Sequence, residues 1–432
     1  MRVSAAGLRP AALLLVALFL AGACSSSEPG GPTGSPRRVI HVPADAPTPR
    51  AAIGMADPGD LILLAAGTYP GGLTVPEDRP DITIRGEDRG RVVFEGRDRG
   101  SDGIAIAADG VAVENLTLHS FPGNGLVWQG VEGYAARFVT VWNVGGYGLY
   151  AFGSTGGRIE RSLVSGAADA ALYVGECHPC DTSLLENTAM LSGIGYSGTN
   201  AGGGLVIHDS LFDRNGTGIL PNSFDDEANP PQRDAVFSNN VVSNSGTVPT
   251  PASDPIGGLI GIGIGIAGGH HDAVSGNEVS GSDRYGIALF STVQHDGDLW
   301  RPMGNRIVGN AVAGSGIADL AQAAGASTGN CFGDNDAATA LPEGLEETRR
   351  CGAGPTPAGG DERVSSDLEI PTPEAYVRSG EHPSYTEMPE PPSQESMPAP
   401  ESPPGAPLPR SNAPPTAASG VPPAAVPRRY SL

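Results

Sequence analysis

The chain has 432 residues and a formal net charge of −22 at pH 7. This acidity excludes nucleic acid and anionic membrane surfaces as partners, because both would repel the protein. All 26 cationic side chains are arginines, which rules out any enzyme that uses a lysine nucleophile or a lysine base. The 63 glycines, the 40 prolines and the low aromatic share of 5% indicate a loop-rich repeat fold beside a segment that cannot bury a core.

Residues 1–24 have the features of an export signal. A positively charged start precedes an apolar run, and small residues lead up to Cys24. The arrangement resembles a bacterial lipoprotein signal, in which Cys24 would carry the lipid and attach the protein to the membrane. An ordinary secretory signal is the alternative, and both versions predict export. Residues 25–38 then form a tether rich in serine, glycine and proline.

The segment 39–96 is predicted to cap the N-terminal end of a repeat domain that spans 39–352. Such a cap is needed because an open strand edge and an apolar interior would otherwise promote aggregation. Its apolar runs and turn residues predict strands at 39–42, 60–64, 82–84 and 92–94, a turn at 67–69, and a helix at 48–56 with Thr48 as its N-cap.

A two-residue phrase, glycine or alanine followed by an apolar residue, recurs through the middle of the chain. Its first five copies begin at positions 125, 148, 171, 195 and 218, which are 23, 23, 24 and 23 residues apart. A period in the low twenties is too short for paired helices and is typical of one coil of a β-solenoid. The copies are Gly125-Leu126, Gly148-Leu149, Ala171-Leu172, Gly195-Tyr196, Gly218-Ile219, Gly265-Ile266, Gly286-Ile287 and Gly316-Ile317.

A second apolar position lies eight residues before the apolar member of the phrase. Two apolar positions kept in register predict two inward-facing strands in each repeat. Glycine and asparagine occupy the predicted corners, where a left-handed backbone is needed. The second apolar positions are Leu118, Val141, Val164, Leu211 and Val279; the predicted corners include Asn115, Gly216, Asn240, Gly276-Asn277 and Gly309-Asn310.

A resemblance to a known family is carried by the run ADPGDLILLAAGTYPGGLTV, by DITIRGEDRGRVVFEG and by VAVENLTLHSF. These segments are similar to right-handed parallel β-helix repeat proteins of the pectate-lyase-like superfamily, over about 39–324. The resemblance implies an all-β, single-stranded right-handed parallel β-helix with about 22–24 residues per coil. It also implies a groove, built from side loops, that holds a linear polysaccharide.

Four cysteines remain after Cys24, an even number that predicts disulfides in an exported protein. The predicted pairs are Cys177–Cys180 in a tight loop and Cys331–Cys351, which would tie down the C-terminal end of the helix at 331–351. A zinc site that uses the first pair with His178 and Asp181 is the alternative. The Pro-rich tail, 353–432, lacks an apolar period and is predicted to be disordered.

Polar segments follow several strands of the repeat, and stacked coils would bring them to one side of the helix. Asp225 and Asp226 follow one coil at nearly the same distance at which His270 and His271 follow the next, so these four are the candidate catalytic residues. The insertion between them is a candidate lid, and nearby carboxylates would raise the histidine pKa values. The candidate ligand contacts are Glu176, His178, Asn200, Asn222, Asp272, His295 and Arg301.

The sequence does not decide between a binding protein and an enzyme. The motifs expected of a polygalacturonase are broken, which favours a protein that binds polysaccharide without cleaving it. The alternative is a lyase, an epimerase or a glycoside hydrolase acting on a uronate-containing glycan, with His270 or His271 as base beside Arg284, Tyr285 or Arg301. Asp296 and Asp298 raise the alternative of a bound Ca²⁺ ion, although they supply too few oxygens alone. We expect a monomer.

Overall fold

The computed structural model describes residues 38–97, 101–251, 259–293, 297–368 and 382–402. The predicted signal with Cys24, almost all of the tether, and both His295 and Asp296 lie outside these residues. Within them the chain is a right-handed parallel β-helix, so the predicted fold class is confirmed. No helix in these ranges is long and apolar enough to span a lipid bilayer.

Each coil contributes a strand to each of three parallel sheets, which we call sheets A, B and C in the order in which a coil visits them. Sheet A contains β1 (Val39–Val42), β2 (Leu61–Leu64), β5 (Thr83–Gly86), β8 (Val111–Glu114), β11 (Glu132–Arg137), β14 (Thr155–Glu160), β17 (Ser183–Leu185), β20 (Gly202–His208), β23 (Arg233–Ser238), β26 (Ala273–Ser275), β31 (Arg306–Val308) and β34 (Cys331–Gly333).

Sheet B contains β3 (Gly67–Pro70), β6 (Val92–Glu95), β9 (Thr117–Phe121), β12 (Thr140–Val144), β15 (Leu163–Ala167), β18 (Thr188–Met190), β21 (Leu211–Asp213), β24 (Val241–Ser243), β27 (Glu278–Ser280), β32 (Ala311–Ala313) and β35 (Asp336–Ala337). Sheet C contains β4 (Leu73–Val75), β7 (Ile104–Ile106), β10 (Leu126–Gln129), β13 (Leu149–Phe152), β16 (Ala170–Gly175), β19 (Ile194–Thr199), β22 (Thr217–Asn222), β25 (Ile262–Ala267), β28 (Tyr285–Phe290), β33 (Ala318–Gln322) and β36 (Ala340–Leu341).

The remaining elements are short and lie outside the three sheets. They are the antiparallel pair β29 (Thr292–Val293) and β30 (Leu299–Trp300), the helices α1 (Pro49–Met55), α2 (Leu345–Thr348) and α3 (Glu362–Asp367), and a 3₁₀ helix (Tyr385–Glu387). The prediction of two inward-facing strands per repeat is therefore wrong, because a third strand, in sheet A, completes each coil.

The register of sheet C confirms most of the recurring phrase and corrects two copies. The residues that stack on successive coils are Leu126, Leu149, Leu172, Tyr196, Ile219, Ile264, Ile287 and Leu320. The copies predicted at Gly265 and Gly316 are therefore displaced by two and by three residues. Ile262, Ile264 and Ile266 are all apolar and buried, so the sequence pattern could not identify the stacked residue.

Close approach explains the glycines of this phrase. A Cβ atom on Gly148 would lie 2.6 Å from the carbonyl oxygen of Ala171 on the next coil and would also clash with Val164 of sheet B. In sheet B the stacked residues include Leu118, Val141 and Val164, as predicted. Phe212, rather than Leu211, occupies the equivalent position on its coil.

The corner between sheets A and B contains a ladder of buried polar side chains. A left-handed residue precedes each inward-facing one, as predicted for Gly276 and Gly309, but Asn240 itself is not left-handed and Asn239 before it is. Backbone N–H groups donate to the side-chain oxygen one coil further on, in the row Ser162, Asn187, Ser210, Asn240, Asn277, Asn310 and Asn335. The ladder thus satisfies polar groups that burial would otherwise penalise.

Both ends of the helix are covered. Thr48 accepts a hydrogen bond from the backbone N–H of Ala51, so the predicted N-cap of α1 is confirmed, and Ile53 of this helix joins the core. The predicted turn at 67–69 is wrong, because these residues belong to β3. Both predicted disulfides are present: Cys331–Cys351 joins β34 to the loop after α2, and Cys177–Cys180 closes a tight loop.

The tail was predicted to be disordered, and two of its described parts lie against the helix. Helix α3 covers sheet C. The segment 382–402, which we call the strap, runs back along the helix towards its N-terminal end. The contacts of the strap pass from Thr250 to Asn143, then to Arg89 and Asn115, and end at Arg85, which donates to the carbonyl groups of Pro400 and Ser402.

Candidate functional site

The outer face of sheet C is divided into two patches. Side chains alternate between the core and the outer face along each strand, so the residue after each stacked apolar residue points outward. On neighbouring coils this row reads Val127, Tyr150, Tyr173, Ser197 and Leu220. Along the helix the row thus passes from a valine to two tyrosines, then to a serine and a leucine.

The covered patch is a second apolar cluster outside the main core. Helix α3 contributes Val364, the residue after it contributes Leu368, and both are almost completely buried. Arg284 fixes the helix by pairing with Asp367 at 2.7 Å. The other members are Ala170, Ile194, Leu220, Leu259, Ile262, Ala267, Tyr285, Ala288, Phe290, Ala318, Ala321 and Ala323.

The open patch is centred on four aromatic rings. The ring of Tyr150 stacks on that of Tyr147 with centroids 4.4 Å apart, and its distances to Tyr173 and Phe152 are 4.9 and 5.7 Å. Tyr173 is only 3% exposed, whereas the other three rings are partly exposed. The rings therefore form a rigid aromatic surface with hydroxyl groups at its edge.

Carboxyl groups border these rings. The Tyr147 hydroxyl is hydrogen-bonded to Asp169, and that of Tyr173 to Thr199. Burial raises the pKa of Tyr150, and the negative charges of Glu176, Glu227 and Asp169 raise it further. The tyrosines are therefore neutral hydroxyl groups in a negative electrostatic field.

Loop 223–232 brings Glu227 to this patch. Asn200 anchors the loop, because its side chain donates to the carbonyl groups of Phe224 and Glu227 and accepts from the backbone N–H of Phe224. The side chain of Asn229 donates to the backbone carbonyl of Glu176 at 2.9 Å. These contacts hold the loop over the end of β16, next to the rings.

Glu227 and Glu176 form a hydrogen-bonded carboxyl pair. Burial, followed by the charge of Glu176, raises the pKa of Glu227 to about 7. The Oε2 atom of Glu227 is buried and has no hydrogen-bond partner among the described residues. Two carboxyl groups this close cannot both ionise readily, so the pair retains a proton near neutral pH.

The predicted catalytic residues lie where the chain passes from sheet C to sheet A, after β22 and after β25. Asp225 and Asp226 are exposed in loop 223–232, and Glu227, which the prediction omitted, is the residue that faces the rings. His271 lies 3.9 Å from Asp234, a residue of β23 that was not predicted. Burial lowers the pKa of His270, and the charges of His271 and Arg233 lower it further, so the predicted increase is wrong for His270.

Several predicted ligand contacts have other roles. Asp272 is completely buried, accepts from Gln232 and Ala235, and belongs to a ladder with Asn305, so it cannot contact a ligand on the surface. Asn200 is also buried, as the anchor of loop 223–232. Tyr285, a candidate lyase residue, is 1% exposed in the covered patch.

The other predicted ligand contacts are divided between two places. Glu176 belongs to the open patch, and Asn222 lies on the same face, where it donates to Ser197. His178 lies 3.5 Å from Asp234, and Arg301 donates to the carbonyl of Gly325. The prediction from the sequence missed the open patch because it considered polar side chains only and left out the aromatic ones.

A sequence signal for the open patch did exist. Tyr150 and Tyr173 are 23 residues apart, which is one repeat, and each follows the stacked leucine of its coil. Glu227 gave no comparable signal, because its position depends on the path of the loop.

The described residues offer no group of three or more histidine, cysteine, aspartate or glutamate side chains suited to a metal ion. The alternative of a Ca²⁺ ion at Asp296 and Asp298 is not tested, because Asp296 lies outside the described residues.

The architecture defines the class: a right-handed parallel β-helix with a polar aromatic patch on one sheet. A family model described as "right handed beta helix region" matches residues 124–295. No curated protein sequence matches the chain.

Similar solved structures have low sequence identity. The A-module of the mannuronan C-5 epimerase AlgE6 of Azotobacter vinelandii is 14% identical, with a TM-score of 0.44 over 67% of this chain and 85% of that chain. An alginate lyase from Paenibacillus sp. str. FPU-7 is 17% identical, with a TM-score of 0.43 over 70% and 99% of the two chains. The catalytic domain of a GH87 alpha-1,3-glucanase in complex with nigerose is 13% identical, with a TM-score of 0.41 over 74% and 68%.

Proposed function

We propose that this protein is exported and binds a polysaccharide on the open patch of sheet C, without cleaving it. The observation that carries the proposal is the aromatic surface of Tyr147, Tyr150 and Phe152, partly exposed and edged by carboxyl groups. A sugar ring has an apolar face and a polar rim, and rigid aromatic rings with polar groups at their edge complement both.

The repeat geometry favours a linear ligand. Neighbouring coils are about 4.8 Å apart, so the outward residues of successive coils form a continuous strip along the helix axis. Tyr150 and Tyr173 occupy the same row on adjacent coils, and Ser197 follows on the next. A polymer lying along this axis would contact equivalent positions one coil after another.

Export is supported by the predicted signal and by the two disulfides, which are stable in an oxidising compartment. Attachment to the membrane through a lipid on Cys24 is part of the proposal. Mass spectrometry of the exported protein would test it, by finding or failing to find an acylated cysteine at the N-terminus.

Titration calorimetry with a panel of plant, algal and bacterial oligosaccharides would test binding. We expect Tyr150→Ala to weaken the binding of any oligosaccharide that the wild type binds by roughly tenfold or more. Trp142→Ala is the matched control, because Trp142 stacks with His119 on the outer face of sheet B, at a centroid distance of 4.4 Å, away from the open patch. Equal losses in both variants would contradict the proposal.

An enzyme remains the second candidate because of Glu227. A carboxyl group with a pKa of about 7 is suited to donate a proton to a leaving group. Retaining glycosidases, however, hold their two carboxyl groups about 5–5.5 Å apart, and inverting enzymes hold them further apart. A directly hydrogen-bonded pair is closer than either arrangement, which favours binding over hydrolysis.

Turnover would distinguish the two candidates. Incubation of the wild type with each bound oligosaccharide, followed by chromatography of the products, should return the oligosaccharide unchanged. Products that disappear with Glu227→Gln would establish the enzyme instead, whether lyase, epimerase or hydrolase.

A further inference from the structure

Two buried side-chain oxygens lie close together at the base of loop 223–232. Gln232 donates from Nε2 to Oδ1 of Asp272 at 2.9 Å, and both side chains are completely buried. The other oxygens of this pair, Oε1 of Gln232 and Oδ2 of Asp272, have no hydrogen-bond partner among the described residues. Both lie against Gly269, where an added Cβ atom would clash with each of them. Two buried acceptors side by side are unfavourable unless a proton lies between them.

The neighbouring coils show what this position requires. Asp272, Asn305 and Asn330 occupy equivalent places, since the backbone N–H of Asp272 donates to the side chain of Asn305 and that of Asn305 to the side chain of Asn330. The amide group of Asn305 also donates to the carbonyl of Gly269, and that of Asn330 to the carbonyl of Pro302, each on the preceding coil. The position therefore calls for a donor, which a neutral carboxyl group supplies and a carboxylate does not.

We propose that Asp272 keeps a proton and donates it to the side-chain oxygen of Gln232, and that this shared proton locks the base of loop 223–232, which opens when the proton passes to solvent. Burial raises the pKa of Asp272 to about 7, and the charge of Asp234 raises it further, so the proton is lost near neutral pH. An asparagine would fit the position at every pH. The inference concerns the loop that carries Glu227 and holds whether or not the open patch binds a glycan.

Loss of the proton would act on the loop through Gln232. The backbone N–H of Gln232 donates to the hydroxyl group of Ser223 at 3.0 Å, so the two ends of loop 223–232 are joined. The backbone carbonyl of Gln232 accepts from the N–H of His270 on the next coil. An ionised Asp272 would place a negative charge beside the side-chain oxygen of Gln232 in a buried site, and opening the site to water would stabilise that charge. Opening separates the two side chains and releases this end of the loop.

The surroundings of Asp272 offer its charge no compensation. Asp234 on β23 is acidic, and burial raises the pKa of Tyr196 on β19 well above its usual value, so this ring is neutral. Four cationic or titratable side chains on adjacent segments form no ion pair with Asp272 within the described part of the chain: His270, His271, Arg233 and Arg306.

Hydrogen–deuterium exchange of the full exported chain tests the lock. The amides of Ser223 and Gln232 are hydrogen-bonded at the base of the loop. After correction for the intrinsic effect of pH on exchange, their protection should fall roughly tenfold between pH 6 and pH 8.5 in the wild type. Asp272→Asn supplies the donor at both pH values, so its protection should not change. Glu227→Gln removes the other carboxyl group with a raised pKa near this loop and should keep the wild-type fall.

Infrared spectroscopy tests the proton itself. The wild type at pH 6 should show a protonated carboxyl band that is lost at pH 8.5 and is missing from Asp272→Asn. Asp319→Asn is the matched control: burial opposes the change, but hydrogen bonds from Ser315 and Thr339 lower the pKa of the buried Asp319, so this variant should keep the band.

Three results would overturn the proposal. The first is protection of the loop base that stays constant in the wild type, or that falls equally in Asp272→Asn. The second is a wild-type spectrum at pH 6 that matches that of Asp272→Asn. The third is failure of Asp272→Asn to fold, because its amide group should replace the neutral acid.

Discussion

The covered and the open patch lie on the same face of the same sheet, yet a helix packs on only one of them. The covered patch is apolar, with aliphatic residues such as Leu220 and the buried rings of Tyr285 and Phe290, and Val364 of α3 belongs to the same cluster. In the open patch the outward residues are tyrosines whose hydroxyl groups already have polar partners. An exposed apolar surface of that kind would attract other proteins, whereas rings with hydrogen-bonded edges can remain in water.

The comparison shows that a solenoid can add a second core outside its first. Each sheet of the helix has an outer face, and the sequence of that face decides whether another element packs on it. Where the outer row remains aromatic and polar, the sheet is available to a ligand. The two patches meet within β16 and β19, because Ala170 and Ile194 at the start of these strands belong to the covered patch and Tyr173 and Ser197 follow further along them.

Leu368→Ala should have the largest effect, because it removes the cover from one patch only. The side chain is 1% exposed, so its loss leaves a cavity, and we expect the free energy of unfolding to fall by about 2–5 kcal/mol. Urea unfolding followed by circular dichroism measures this change. Glu362→Ala, at an exposed position of the same helix, is the control, and a similar loss there would show that the burial of Leu368 does not account for the effect.

Tyr150→Ala should leave the covered patch intact and weaken glycan binding roughly tenfold or more, which corresponds to about 1.4 kcal/mol. Tyr150→Phe retains the ring and should keep most of the affinity, because stacking rather than the hydroxyl group supplies the contact. Calorimetric titration of both variants gives the two dissociation constants. If the phenylalanine variant binds no better than the alanine variant, stacking is not the source of affinity.

Changes of pH should have the smallest effect and should distinguish a half-buried carboxyl group from a buried one. The folded-state pKa values of Glu227 and Asp272 are both raised to about 7, so each group favours folding at low pH. Their contribution is complete below their unfolded pKa values, near 4, and is lost as the pH rises through 7.

We therefore expect wild-type stability to decline between about pH 4 and pH 7. Glu227→Gln should flatten the decline slightly, because its site is partly exposed to solvent, and Asp272→Asn should flatten it more. Urea unfolding at pH 4.5, 6 and 7.5 provides the measurement. A profile that is unchanged in both variants would mean that neither carboxyl group keeps its proton in the folded protein.

The sequence revealed the parts of the fold that depend on short-range repetition. The period of the glycine phrase predicted the coils, and the even number of cysteines predicted Cys177–Cys180 and Cys331–Cys351. The register failed at Gly265 because buried strands such as β25 are apolar on both faces. An alternating pattern cannot mark the inward residue there.

The candidate site was only partly predictable, because it depends on long-range packing. Glu176 was identified from its place at the end of a strand, but its partner Glu227 reaches it through loop 223–232, whose path depends on Asn200. Composition also predicted a solvated tail, since the strap has almost no apolar residues apart from Met388 and Met397. Its contacts are instead backbone groups held by Arg85, Arg89 and Asn143, and residue types alone do not reveal such bonds.

The strap has a consequence for the order in which the chain matures. In a stack of repeats each coil contacts only its neighbours, so early coils could fold completely while later ones are still being synthesised. Here Asn143 donates to the carbonyl of Met388, 245 positions further on, and Arg85 donates to Ser402, 317 positions further on. The coils made first therefore acquire these last hydrogen bonds only after residue 402 has left the ribosome, so their maturation depends on residues that are translated about 300 positions later.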